Sequence, residues 1–252
     1  CEAIKKKTSL PVKCMPYYLE AKVQEKRTRQ DFGLPEDQFL FLMMFDSYSC
    51  AERKNPVAVM QAFRQAFDRT NEQTGLVIKM NHATKEEESY IHTMMEGYAN
   101  IYLIREILDK NAVNNLIQCA DVIVSLHRAE GFGLVLAEAM LLGTPVIATN
   151  WSANTEFMNE ETACMVDYQF LTLDKELPPF HAGCRWADPN IHQAAAYMKK
   201  LYEDKEFYND LSVRAKAHIT KVLSMERAAG RMKARFEEIY RELEKNEENS
   251  NR

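Results

Sequence analysis

Two glutamates and two glycines lie within one short segment of the chain, Glu130-Gly-Phe-Gly-Leu-Val-Leu-Ala-Glu138. Glycine allows backbone N–H groups to approach an anion closely, and the N–H groups at a helix N-terminus favour phosphate. Carboxylates near a phosphate site are unfavourable unless they bind something else, and sugar hydroxyls are suitable hydrogen-bond donors for them. The segment therefore predicts a site for a ligand that carries phosphate and sugar, and it makes the chain an enzyme candidate.

The same segment is expected to lie between a strand and a helix. The apolar run 121–126 is rich in β-branched residues, and residues 134–142 have a helix-forming composition followed by glycine and proline as stop signals. Glu130 would then lie on the loop at the carboxyl end of the strand, and Glu138 about one turn into the helix, so that both carboxylates could reach one ligand. The alternatives are a solvated loop acid for Glu130 and a glutamate that favours the helix dipole for Glu138.

Arg53 and Lys54 form a second candidate element, on a loop after the first predicted strand and before a helix that begins near Asn55-Pro56. Proline suits the first turn of a helix, so this loop would also present a helix N-terminus. In a parallel sheet the loops after residues 45 and 126 lie at the same edge, where such folds bind ligands. Both elements therefore predict one crevice, although a solvated pair at a helix start is the alternative for Arg53 and Lys54.

Short apolar runs alternate with longer amphipathic segments along the chain. We predict strands at 39–45, 75–80, 100–104, 122–126, 145–149 and 162–166, and helices at 56–69, 85–98, 110–119 and 134–142. This alternation is typical of an α/β fold with a Rossmann-like, doubly wound parallel sheet. From residue 191 the pattern is helical, and it ends in a long amphipathic helix over 225–244 and a polar tail.

Composition and charge exclude several classes of protein. A formal net charge of −5 and a pI near 5.8 give no electrostatic footprint for a nucleic-acid partner. The six cysteines are scattered without a Cys-x-x-Cys pair, which predicts reduced thiols and neither a zinc cluster nor a disulfide framework. No apolar run approaches the roughly 20 residues needed to span a bilayer, so we expect a soluble, cytoplasmic chain.

These motifs resemble the E-x7-E signature of the retaining GT-B glycosyltransferases of family 4, also called group 1. The resemblance continues through residues 125–134, 150–158 and 52–56, and it looks closest to bacterial surface-polysaccharide members, many of them mannosyltransferase-like. It extends from about residue 16 to the final helices, which corresponds to the family's C-terminal, donor-binding half. The α/β fold expected above would therefore be the C-terminal half of a GT-B fold, with helices added at its end.

The resemblance implies a role for each residue of the two elements. Lys54 and Arg53 would hold the donor diphosphate and neutralise charge as the sugar departs, without a metal. Glu130 would contact hydroxyls of the transferred sugar, Glu138 would hold ribose hydroxyls, and the base would stack near Arg105. The implied site residues are Glu130, Lys54 and Arg53 for catalysis, and Gly131, Phe132, Gly133, Leu134, Glu138, Arg105 and the candidate pocket residue His127 for donor binding.

The resemblance also implies how the chain is organised. We expect an interdomain linker remnant over residues 1–16, a nucleotide-sugar donor-binding domain over 17–245 and a disordered tail over 246–252. The family's acceptor-binding domain normally precedes this point and has no room here, so the chain would be a truncated protein or a donor-binding subunit with a partner chain. Either would be catalytically incomplete alone, because the transition state forms between two domains.

The implied function is transfer of a hexose, by resemblance a mannose-like one, from a GDP- or UDP-linked sugar to a glycan or lipid-linked saccharide acceptor. No cofactor beyond this substrate and no bound metal is expected. The protein would be cytoplasmic, or peripheral at the inner face of the cell membrane through the missing domain. The alternatives are a separate nucleotide-sugar-binding subunit and a non-catalytic interaction module of the same fold.

Overall fold

A six-stranded parallel sheet forms the centre of the larger of two compact units, Ala21–His218. The computed structural model describes residues 2–15 and 17–250, with side chains for 4–15 and 17–245. The strands are β1 (Phe39–Asp46), β2 (Thr74–Asn81), β3 (Ile101–Ile104), β4 (Val122–Ser125), β5 (Val146–Thr149) and β6 (Cys164–Val166). Their order is β3-β2-β1-β4-β5-β6, and each predicted strand lies within about two residues of an observed one. The α/β, Rossmann-like prediction is therefore confirmed.

The helices flank and follow this sheet. They are α1 (Glu2–Lys5), α2 (Ala51–Lys54), α3 (Pro56–Ala66), α4 (Lys85–Met95), α5 (Lys110–Cys119), α6 (Leu134–Leu142), α7 (Ile191–Glu203), α8 (Lys205–Val222) and α9 (Met225–Ser250). The predicted bounds of α5 and α6 are confirmed. α3 and α4 end earlier than predicted, because Phe67 turns extended after α3 and Glu96 leaves the helical region after α4. The one-turn helices α1 and α2 were not predicted.

The side chains of β1 alternate between the two faces of the sheet. Phe41, Met43 and Phe45 belong to a buried apolar cluster that includes Phe63 on α3 and Met198 on α7. Side chains alternate along a strand, so the residues between them point to the opposite face. The apolar cluster therefore occupies one face of the sheet, and Leu40, Leu42 and Met44 lie on the other.

The second face carries Leu42 and Met44 of β1. The register places Leu42 opposite Ile123 of β4, so Ser125 lies on this face as well. Asp121 fixes the start of β4, since its carboxylate accepts a hydrogen bond from the backbone N–H of Leu40 at 2.7 Å. The chain's order reverses between β1 and β4, which makes the carboxyl ends of these two strands the expected position of a ligand crevice.

An antiparallel hairpin, β7 (Tyr168–Thr172) and β8 (Arg185–Pro189), follows the parallel sheet and was not predicted. Trp186 is its buried anchor, and its ring meets that of Phe180 edge-on at 5.2 Å. The outer strand is largely exposed, so it lacks the apolar alternation by which a half-buried strand is identified in sequence.

The second unit comprises Cys1–Glu20 and Ile219–Arg252. Within it, the backbone N–H of Leu19 donates to the carbonyl oxygen of Leu223 at 3.3 Å, and Lys13 pairs with Glu238 at 3.2 Å. The backbone of α9 is helical to Ser250, whereas Cys1, Pro16 and residues 251–252 lie outside the described part of the chain. The proposed linker over 1–16 and disordered tail over 246–252 therefore stay predictions. Over the described residues, none of the helices combines the length and apolar character that crossing a membrane requires.

Candidate functional site

Arg53 and Lys54 lie on the one-turn helix α2, not on an irregular loop as the sequence suggested. α2 ends at Asn55, which adopts a left-handed backbone with φ of 58°. The buried side-chain amide of Asn55 donates to the carbonyl oxygen of Leu126 at 3.0 Å, and α3 then begins at Pro56. The two cations are therefore fixed to the end of β4 by a defined connection.

Lys54 and Glu130 form the central ion pair of the site. The Lys54 Nζ lies 2.5 Å from the Glu130 Oε2, and both side chains are largely buried. Arg53 Nη1 lies 3.7 Å from the same oxygen, but the Arg53 guanidinium also donates to the carbonyl oxygens of Ser49 (2.9 Å) and Ala129 (2.6 Å). Because Arg53 ties these two backbone segments together, Lys54 is the better placed of the two to serve a ligand.

Glu130 is held in place by its own loop. Its backbone N–H donates to Ser152 Oγ at 3.0 Å, and the Ser152 hydroxyl donates to the Glu130 carbonyl oxygen at 2.6 Å. Burial acts to raise the pKa of the Glu130 carboxyl, but the adjacent Lys54 ammonium and Arg53 guanidinium outweigh it and hold this pKa below its ordinary value. Glu130 is therefore a charged carboxylate in a partly dry setting.

Gly133 is the N-cap residue of α6 and has a backbone φ of 92°, a conformation that favours glycine. A Cβ at this position would lie 3.3 Å from Leu136, 3.4 Å from Phe157 and 3.5 Å from Asn154. Gly133 therefore fixes where the N-terminus of α6 points. A cleft of about 450 Å³ lies at this end of the helix, and its walls include Met44, Lys54, Ile123, Ser125, Glu130, Gly131, Phe132, Gly133 and Leu134. The structure thus brings together most of the residues that the sequence placed in one crevice.

Glu138 lies deeper, on the fifth residue of α6. It is not in the first turn, so the alternative that it merely favours the helix dipole is not supported. Its carboxylate forms an ion pair with Lys110, the first residue of α5. Nothing in the sequence singled out Lys110, because its pairing depends on how α5 packs against α6.

His127 is fully buried instead of exposed on the cleft wall. Its Nε2 lies 3.1 Å from two acceptors, the Trp151 carbonyl oxygen and the Asn154 Oδ1, so Nε2 carries the proton. Nδ1 lies 3.0 Å from the Ser125 hydroxyl, which donates to it. Burial lowers the pKa of His127, and this residue joins β4 to the segment after β5 as a neutral structural group.

Arg105 follows β3 and is exposed, with its guanidinium 3.2 Å from Glu88. It is not part of the cleft wall described above. At the neighbouring strand ends, the Asp46 carboxylate accepts a hydrogen bond from Nδ1 of His82 at 3.0 Å, and the Tyr48 ring stacks on the His82 ring at 4.3 Å. The sequence did not reveal this cluster. Only the position of these three residues at or just after the ends of β1 and β2 could have indicated it.

Lys79 is a second residue that the sequence did not reveal. It lies near the end of β2, is almost completely buried and donates to Asn81 Oδ1. Desolvation lowers the pKa of the Lys79 amine, while Glu106 and Asp46 oppose this effect. A further cavity of about 430 Å³ lies beside α2, and the Arg128–Asp188 ion pair (3.0 Å) is part of its wall.

Metal-binding side chains do not cluster at the site. Among the described residues there is no group of three or more His, Cys, Asp or Glu side chains with the geometry of a metal site. The five cysteines that the structure describes form no disulfide bond. What the cleft wall offers a ligand is the Lys54 ammonium, the Glu130 carboxylate and the N-terminus of α6.

Comparison with known proteins links this chain to one family. The family model described as glycosyl transferases group 1 matches residues 24–218. Over 172 residues, the chain is 26% identical to trehalose synthase of Rubrobacter xylanophilus, which covers 66% of this chain and 36% of that protein. The chain therefore spans about a third of the length of this curated relative.

Solved structures share the fold at lower identity. The C-terminal domain of the group 1 family protein LpcC of Francisella tularensis superposes with a TM-score of 0.61 at 19% identity, covering 84% of this chain and 97% of that domain. Anabaena HepE, in complex with UDP and glucose, superposes with a TM-score of 0.62 at 15% identity, covering 83% of this chain and 51% of that protein. The described sheet and its flanking helices are thus those of a GT-B half.

Proposed function

We propose that the cleft of this chain, which belongs to the group 1 glycosyl transferases, binds a nucleoside-diphosphate sugar. The chain would then be the donor-binding part of a retaining hexosyltransferase. The single observation that carries the proposal is the meeting of Lys54, Glu130 and the glycine-led start of α6 at one cleft. A cation, an acid and a helix N-terminus are the groups needed to hold a diphosphate and a sugar side by side.

The chemistry of sugar transfer explains why these groups are needed. When the bond between sugar and phosphate breaks, the leaving nucleoside diphosphate gains negative charge. Lys54 and the N-terminal N–H groups of α6 are positioned in advance to stabilise that charge, so no large rearrangement is needed. Glu130 would accept hydrogen bonds from the sugar hydroxyls while the Lys54 ammonium turns to the diphosphate. We assign Glu130 to sugar contact and not to nucleophilic attack.

The proposed donor carries a hexose on UDP or GDP. The HepE structure contains UDP and glucose, which supports UDP as the first nucleotide to test, whereas the mannose-like sugar is suggested by the sequence resemblance. The proposed acceptor is a glycan or a lipid-linked saccharide at the cytoplasmic face of the membrane. Because the chain covers 36% of trehalose synthase and 51% of HepE, we place the acceptor site on another domain or a partner chain.

Calorimetric titration with UDP, GDP, ADP and dTDP, followed by their sugar conjugates, tests the proposal. We expect selective binding of one nucleotide and tighter or equal binding of its sugar conjugate. A Lys85→Ala variant should bind like the unaltered chain and serves as the control for lysine substitutions within the site. Lys85 is an exposed lysine at the first position of α4, outside the cleft wall. Binding of none of these ligands would overturn the proposal and favour a non-catalytic interaction module.

Glu138 separates a ligand role from a structural one. Glu138→Ala should weaken binding of the nucleoside diphosphate but leave binding of inorganic pyrophosphate unchanged, because only the nucleotide carries ribose hydroxyls. A Glu138 that merely supports the fold would lower the melting temperature without changing the ratio of the two affinities. The same calorimeter and a thermal scan provide both measurements.

A further inference from the structure

Lys110 occupies an electrostatically unfavourable place. It is the first residue of α5, where the helix dipole repels a cation, and the N-cap residue Asp109 accepts the Ala112 N–H at 2.7 Å. A lysine gains little at such a position from the helix itself. The ion pair with Glu138 supplies a reason for a lysine here, since 57% of the Lys110 side chain but only 6% of the Glu138 side chain is exposed.

Glu138 needs such a partner. A buried carboxylate is costly unless a charge or several hydrogen bonds compensate it, and the Lys110 ammonium compensates it from the protein surface. The contact uses Oε1, whereas an ionised carboxylate has about four lone-pair sites for donors. Glu138 can therefore keep Lys110 and still accept hydrogen bonds from hydroxyl groups of a ligand.

Glu138 lies one helical turn from a residue of the cleft wall, although its own side chain is not part of that wall. Residues four apart lie on the same side of a helix, so Glu138 lies one turn below Leu134, which forms part of the cleft wall. α5 packs against α6 beside this face, and the Thr144 hydroxyl, just after α6, donates to the Ile117 carbonyl oxygen of α5 at 3.1 Å. The geometry of the Lys110–Glu138 pair is thus fixed by the packing of two helices.

We infer that Lys110 is a positioning residue for the nucleoside part of the donor, which it serves by neutralising and orienting the Glu138 carboxylate for the ribose hydroxyls. This inference rests on the proposed function of the cleft. Lys110 acts through Glu138, and it does not act as a phosphate-binding cation. Its removal should therefore impair recognition of ribose and leave recognition of diphosphate intact.

The test measures ribose selectivity in the whole chain. UDP, GDP, their 2′-deoxy analogues and inorganic pyrophosphate are titrated into the unaltered chain, Lys110→Ala, Lys110→Arg and the control Lys85→Ala. We expect Lys110→Ala to weaken the better-bound ribonucleotide about tenfold, while binding of pyrophosphate changes less than about twofold. Lys110→Arg should restore most of the preference for ribose over deoxyribose, and Lys85→Ala should not change it.

Three results would overturn the inference. An unchanged ratio of ribonucleotide to deoxynucleotide affinity in Lys110→Ala would show that Lys110 does not serve ribose recognition. An equal loss for pyrophosphate would make Lys110 a direct phosphate contact, and tighter ribonucleotide binding would make it a competitor for Glu138. If the unaltered chain binds none of the nucleotides, the proposed function itself fails, and the failure is distinguishable because no variant is needed to see it.

Discussion

At the scale of single residues, the site is built around an ion pair whose two charges neutralise each other before a ligand binds. Lys54 and Glu130 are 76 positions apart in the sequence, yet their charged atoms lie 2.5 Å apart. Each neutralises the other in a setting where an isolated charge would be costly. A ligand with both phosphate and hydroxyl groups can replace the two halves of this pair with separate partners, because phosphate attracts the ammonium and hydroxyls donate to the carboxylate.

Removing the Lys54 ammonium should weaken binding of the preferred nucleoside diphosphate. We expect Lys54→Ala to lose about 1.5–3 kcal/mol of binding free energy, the usual range for a charge-assisted hydrogen bond in a partly dry cleft. Calorimetry on Lys54→Ala beside Lys85→Ala measures this loss. Equal affinity in the two variants would place Lys54 outside the ligand site.

The ionisation of Glu130 should make stability depend on pH. Its pKa in the folded chain lies below the ordinary value of a glutamate, so the stability it contributes is present above that ordinary value and is lost as pH falls through the folded pKa. The difference in free energy of unfolding between the unaltered chain and Glu130→Gln should therefore be constant above about pH 5 and shift against the unaltered chain below it. Urea denaturation from pH 3 to pH 7 measures this, and parallel curves for the two chains would contradict it.

At the scale of elements, the N-terminus of α6 depends on the two glycines in different ways. Gly133→Ala places a Cβ on a backbone with φ of 92° and close to Leu136, so we expect a loss of about 1–3 kcal/mol in the free energy of unfolding, together with weaker nucleotide binding. Gly131→Ala is the matched control, since a Cβ there meets nothing within 4 Å. Denaturant titrations of both variants decide the point, and equal stability would show that α6 does not need its left-handed start.

Local signals account for how well these elements were predicted. The bounds of α5 and α6 could be read from the sequence because their ends are set by neighbouring residues, namely the capping Asp109 and the glycines Gly133 and Gly143. The β7–β8 hairpin could not, because its outer strand is exposed and its two strands are joined by a long connection. Here pairing across the loop, not an apolar pattern, forms the strands.

Contacts between distant segments of the chain limit how much of the site could be predicted from the sequence. The sequence identified Glu130, Glu138 and Lys54 through motif spacing, but their partners follow only from the fold. Lys110 reaches Glu138 across the α5–α6 packing, and Arg53 is held by the Ala129 carbonyl oxygen. Whether a charged residue serves a ligand or a neighbouring backbone group is thus decided by tertiary geometry, on which sequence spacing is silent.

At the scale of the whole molecule, nucleotide binding should be visible as stability. A ligand that binds only the folded state stabilises it by about 2.7 kcal/mol when its free concentration is about 100 times Kd. We expect this increase in the free energy of unfolding with the preferred nucleoside diphosphate, measured by urea denaturation at that concentration. Lys54→Ala at the same nucleotide concentration should show a smaller increase, and an equal increase would contradict a cleft-bound nucleotide.

The central position of β1 has a further consequence for how the chain is made. The backbone N–H of Leu40 in β1 bonds to Asp121, which is synthesised 81 residues later, so β1 cannot pair with β4 before that point. At a synthesis rate of 5–20 residues per second, this interval lasts about 4 to 16 seconds. During it, one side of the apolar strand β1 displays open hydrogen-bonding groups that other nascent chains can pair with. The reversal of strand order that creates the crevice therefore also gives ribosome-bound chains a period in which a chaperone has a defined edge to shield.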